Sequence, residues 1–98
     1  MSHNPTAESL KSLLGKEVVL DTEGPIIYIG VLEEIRPDGL WLIGADLRDR
    51  SEGVVSKERY IREAREMGIR PNRSRVFVFL RVIISVSALD DVVTDYEP

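Results

Sequence analysis

Residues 76–89 run for fourteen positions without glycine or proline, and only Arg81, Ser85 and Ser87 are not apolar. The run is too short to cross a bilayer, which takes about 20 residues as a helix. Its β-branched and aromatic content reads as buried strand, either one sharply bent strand or two short ones. The even positions (Val76, Val78, Leu80, Val82, Ile84, Val86, Ala88) are all apolar and form a core face. The odd positions carry both phenylalanines of the chain, Phe77 and Phe79, and Ile83. A strand apolar on both faces needs cover on both. In a chain of 98 residues, enough for one small domain, the second cover is either a helix of the same chain or a second copy. We therefore expect a homo-oligomer with Phe77, Phe79 and Ile83 at the interface; the helix read below at 56–67 is the alternative cover.

The rest of the chain is punctuated clearly. Leu10, Leu13 and Leu14 lie at i, i+3 and i+4, with Thr6 ahead as N-cap and Gly15 behind, which predicts a helix over 6–14. Strands are expected at 16–21, 26–36 and 40–47. They are separated by Thr22-Glu23-Gly24-Pro25 and by Pro37-Asp38-Gly39, a hairpin turn in which glycine takes a positive φ. Gly30 and Gly44, inside facing strands, predict strong curvature. Residues 46–53 are polar and end the third strand. A second helix follows over 56–67, opened by Ser56, closed by Gly68, with Tyr60, Ile61, Ala64 and Met67 as its apolar stripe. Five short strands suit a small bent barrel, because closure removes exposed edges. The expected class is mainly β with some α content.

Charge and chemistry narrow the function. The net charge is −4, and ten of the thirteen basic residues are arginine. Residues 57–75 hold seven basic side chains against Glu58, Glu63 and Glu66, whereas 90–98 hold Asp90, Asp91, Asp95 and Glu97. Such blocks read either as solvated faces or as partner-facing patches. There is no cysteine, and His3 is the only histidine, so thiolate chemistry and a histidine triad or zinc site within one chain are not expected. No phosphate-binding loop, dinucleotide glycine pattern or serine elbow occurs. Glu33-Glu34 and Asp90-Asp91 read as solvated acids, and Asp46, Asp49 and Glu52 lack the spacing of a calcium loop. The chain is expected to be no enzyme, to need no cofactor or metal, and, lacking an apolar leader after Met1, to be cytoplasmic.

The pattern resembles the Sm/LSm family of ring-forming β-barrels, which includes the Hfq proteins. Leu14-Gly15-Lys16-Glu17-Val18-Val19-Leu20 is similar to the family's first strand and Ile27-Tyr28-Ile29-Gly30-Val31-Leu32-Glu33-Glu34-Ile35 to its second. Asp38-Gly39-Leu40-Trp41-Leu42 sits where its second loop and third strand lie. Val78-Phe79-Leu80-Arg81-Val82-Ile83-Ile84-Ser85-Val86 is similar to its second motif. The likeness covers residues 6–47 and 75–89, and 48–74 would be a helical insertion and basic linker. Two positions depart from the pattern: Leu42-Ile43 stand where the family's loop carries asparagine, and Val82 follows the motif arginine in place of glycine.

The resemblance implies a strongly bent five-stranded Sm-like barrel, related to SH3-like barrels, forming a single domain over 1–98, with an N-terminal helix, a second inserted helix, and flexible ends at 1–5 and 90–98. It implies a ring in which the fourth strand of one subunit pairs with the fifth of the next. It also implies single-stranded RNA as ligand, with Asp38, Gly39, Trp41 and Arg81 as contacts. Stacking aromatics and arginines are the chemistry that such binding needs, and Arg70, Arg73 and Arg75 of the linker would reach phosphates by charge. Against this stand local alternatives: Trp41 as a core or interface residue, Arg81 paired with Glu33, Glu34 or Asp38, and the linker bound to a neighbour's acidic tail. The competing function is an oligomeric protein-interaction scaffold that has lost RNA binding.

Overall fold

A computed structural model describes residues 5–50 and 56–94. Helix α1 (Pro5–Leu10) continues as a 3-10 turn, Lys11–Leu13, and leads into strand β1 (Glu17–Thr22). Strands β2 (Ile26–Arg36) and β3 (Gly39–Asp49) form a long hairpin, followed by helix α2 (Lys57–Met67). Strand β4 (Arg73–Phe79), a 3-10 turn at Leu80–Val82 and strand β5 (Ile83–Ala88) complete the sheet. Its order is β4-β3-β2-β1-β5, and every neighbouring pair is antiparallel. The bent five-stranded architecture read from the sequence is the one observed.

The bend arises where the glycines face each other. The β2–β3 register shifts between Ile29 and Val31. Opposite that shift Gly44 has φ +55°, a left-handed conformation that costs a side-chain-bearing residue free energy. A Cβ on Gly30 would come within 3.0 Å of Ala45, so the bulge leaves little room for a side chain there.

The sheet is buried on both faces. On one, Leu10 of α1 packs with Val18, Leu20, Leu32, Leu40, Leu42, Ala45 and Val78. On the other, Ile61 and Ala64 of α2 pack with Val19, Ile27, Ile29 and Leu89. Helix α2 is therefore not the cover for Phe77 and Phe79, as its alternative reading had it. Its N-cap is Ser56, whose side chain accepts from the Arg59 amide, and Gly68 ends it with an N–H bond to the Ala64 carbonyl. Lys57 ties its first turn to the sheet, with Nζ 2.7 Å from Asp21 Oδ1 and 2.7 Å from the Gly24 carbonyl.

Several expectations need correction. Strand β3 runs on to Asp49 through the segment read as polar, because Asp46 is buried and hydrogen-bonded instead of solvated; Glu52 lies outside the described residues. Gly39 does not have a positive φ; its need for glycine is steric, as described below. Alternation through 76–89 breaks at the 3-10 turn, and Ile84 is 60% exposed instead of core. The β1–β5 register also shifts between Asp21 and Thr22. Met67, assigned to the apolar stripe, is 67% exposed because it stands in the last turn of α2. Within the end read as 90–98, Val92 packs on the α2 core beside the buried Leu89. Helix α1 begins at Pro5, and the Thr6 side chain lies outside the described residues, as do 1–4 and 95–98.

Candidate nucleic-acid interface

The chain turns twice at one end of the sheet, and the two turns are bonded to each other. Pro37-Asp38 connects β2 to β3 with Arg36 opposite Gly39. Leu80, which opens the β4–β5 turn, donates its N–H to the Asp38 carbonyl at 3.0 Å. Arg81 follows directly, so the sheet order places Arg81 beside Asp38 and Gly39 although they are distant in sequence.

From these turns an aromatic row extends along β3 and β4. Leu40, Leu42 and Val78 point into the core, so the alternating positions Trp41, Phe77 and Phe79 share the opposite face. Trp41 opposes Phe77, and Gly39 opposes Phe79. The Trp41 and Phe77 centroids are 5.0 Å apart, and Phe77 meets Phe79 edge-on at 5.2 Å. Arginine caps each end of the row: Arg75 lies 3.8 Å over Trp41 and Arg81 lies 4.6 Å over Phe79. Both are stacking distances for a guanidinium on an aromatic face. Gly39 makes the row possible, since a Cβ there would stand 2.4 Å from the Phe77 ring. Phe79, 43% exposed, is the most open ring.

The charges on this face form a lattice. Arg75 Nε bonds Glu33 Oε1 at 2.8 Å, and its Nη2 lies 3.7 Å from Glu34 Oε1. Glu34 also receives Arg36 at 3.3 Å. Arg75, not Arg81, therefore takes the two glutamates. These side chains are largely exposed, and exposed ion pairs contribute roughly 0–1 kcal/mol. A polyanion can recruit Arg75 and Arg36 at small cost. The lattice as it stands is close to neutral, so binding here would rest on stacking more than on excess charge.

The remaining predicted residues lie elsewhere. Arg73, at the start of β4, is exposed and bonds the Asn72 carbonyl. Ile83 is half-buried and packs on the α1 side of the core. Arg70 is on the α2 side, lining a cavity with Arg48, Arg50 and Tyr60. Beneath that cavity lies an arrangement that sequence reasoning missed. Asp46, 4% exposed, accepts from the Tyr60 hydroxyl, from Arg48 Nε at 2.8 Å and from Asn72 Nδ2 at 3.1 Å. Asn72 also bonds both the N–H and the carbonyl of Leu47 at 3.0 Å. Burial first, and the bond to Asp46 second, push the Tyr60 phenol far above its ordinary pKa. The available signal was a lone acid inside an apolar strand, with a tyrosine on the inward stripe of α2. Among the described residues no cluster of acids or histidines is built to hold a metal. No helix among them is long and apolar enough to cross a membrane.

No protein-family profile matches the sequence, and no curated protein does. Solved structures do match. The Sm protein of Pyrococcus abyssii, determined in complex with a uridine heptamer, superposes with a TM-score of 0.59 at 13% identity, over 88% of this chain and 99% of that one. A novel Sm-like archaeal protein from Pyrobaculum aerophilum gives a TM-score of 0.53 at 21% identity; it covers 83% of this chain, which spans 48% of that longer one. The fold is Sm-like.

Proposed function

We propose that this chain is a non-catalytic Sm-like module that assembles into a homo-oligomeric ring and binds single-stranded RNA. The observation that carries the reading is the hydrogen bond joining the two turns, which sets Arg81 beside Asp38 and Gly39 at the end of the Arg75–Trp41–Phe77–Phe79 row. Asp38, Gly39, Trp41, Arg75 and Arg81 are the proposed RNA contacts, with Arg73 adding charge at the start of β4. An unstacked base would stack at Trp41, and arginines would take the phosphates. The structural neighbour solved with a uridine heptamer supports the choice of ligand class.

The ring follows from the edges. Strands β4 and β5 end the sheet order, and unpaired edge strands attract partners. Pairing β4 of one copy with β5 of the next would satisfy both edges and bring the exposed Phe79 and Ile84 toward a neighbour.

The test is fluorescence anisotropy with labelled oligouridine over a salt titration. Binding should weaken linearly in log–log form as salt rises. Arg81→Ala should weaken it and lower the salt slope by about one. Salt-independent binding or an unchanged affinity in the variant would remove RNA from the account and leave the oligomeric protein scaffold.

A further inference from the structure

We propose a second binding site, for a phosphomonoester, in the cavity between the end of β3 and α2. It is distinct from the Arg81 face. The cavity measures about 400 Å³ and is lined by Arg48, Arg50 and Arg70 together with Tyr60, Glu63 and Met67. Arg48 comes from the end of β3, Arg50 from the residue that follows it, and Arg70 from the segment after α2, so guanidiniums from two separated stretches converge on one space.

The acids in the wall are already compensated. Asp46 takes three donors, and one of them, Arg48 Nε, is thereby fixed in place. Glu63 is bonded to Arg59 at 3.1 Å. Arg50 is oriented by the Tyr60 ring, over which it lies at 5.3 Å. Arg70 is exposed and, among the described residues, has no ion-pair partner. A guanidinium presents a planar fork of donors that matches phosphate oxygens. A phosphomonoester brings about −1.5 to −2 charge at neutral pH, which suits an arginine cluster better than a single carboxylate does. Small-ligand pockets run from about 300 to 1,000 Å³, so the space admits the phosphate and a nucleoside-sized group. A free nucleotide and the phosphorylated end of an RNA share this chemistry.

The experiment is calorimetric titration of the full chain with inorganic phosphate, uridine 5′-monophosphate and uridine. The two phosphate-bearing probes should bind, and more tightly than uridine. Arg70→Ala should weaken both by about tenfold, the loss of one charge-assisted contact. Arg70→Lys should recover part of that loss. Arg70 is exposed, so its variants keep the fold, which circular dichroism verifies. Oligouridine with and without a 5′-phosphate then separates the sources. A preference for the phosphorylated end that disappears in Arg70→Ala assigns the site to RNA ends, whereas equal binding of both forms assigns it to free nucleotide. No binding of either phosphate probe at millimolar concentration, or affinities indifferent to Arg70, would overturn the site. Neither result bears on the Arg81 face.

Discussion

Removing one oxygen should loosen the inserted helix from the sheet. Tyr60→Phe deletes the hydroxyl that donates to Asp46, a carboxylate only 4% exposed. Hydrogen bonds to charged groups contribute about 1.5–3 kcal/mol, and the acceptor left behind is buried. Arg48 and Asn72 still serve Asp46, which holds the expected cost to about 2 kcal/mol. Domains of this size have roughly 5–15 kcal/mol in total. The urea midpoint should fall by about 1–2 M, and the melting temperature by about 8–16 °C. Urea titration followed by Trp41 fluorescence and far-ultraviolet circular dichroism reads both. The cost should also depend on pH. Folding raises the Tyr60 pKa, so the phenol's contribution is complete below the unfolded value near 10 and is lost as pH climbs above it. In that window the unfolded chain ionises while the folded one does not. The gap between wild type and Tyr60→Phe should narrow above about pH 10, by less than the limiting 1.4 kcal/mol per pH unit because the phenol is only half-buried. A loss under about 0.5 kcal/mol at pH 7 would refute the reasoning, because that is the ordinary scatter of inconsequential surface changes.

Two further substitutions probe the aromatic face. Gly39→Ala should destabilise the chain by about 1–3 kcal/mol, since its Cβ would collide with both the Phe77 ring and the Val78 backbone carbonyl; denaturant unfolding measures it, and a neutral result would mean that ring and β4 backbone both give way. Phe79→Asp should lower the oligomer mass while leaving the monomer folded, because the ring is 43% exposed. Val78→Asp, one residue earlier and buried, should unfold the chain itself; light scattering and circular dichroism separate the two effects.

Punctuation decided what was legible in the sequence. Strand β2 was readable to the residue because Gly24-Pro25 and Pro37-Asp38 bracket an unbroken β-branched run. Helix α2 was readable because Ser56 and Gly68 mark its ends. The break at Leu80–Val82 was not placed, because its apolar residues look the same in a strand as in a 3-10 turn; only the phase error at Ile84 reveals it. The pairing of Arg75 with Glu33 and Glu34 depends on cross-strand register, which no local pattern encodes. The same holds for Arg70, which shares a basic block with Arg75 yet lines a separate cavity against α2. Asp46 was misread as the start of a loop because its three donors come from β3, α2 and the segment before β4.

The most direct measurement of the central claim is native mass spectrometry of the chain with oligouridine added. The account predicts a single assembly of many 11.1 kDa subunits carrying RNA, with the RNA-bound fraction reduced in Arg81→Ala. A species at the monomer mass that carries no RNA would contradict both the ring and its ligand.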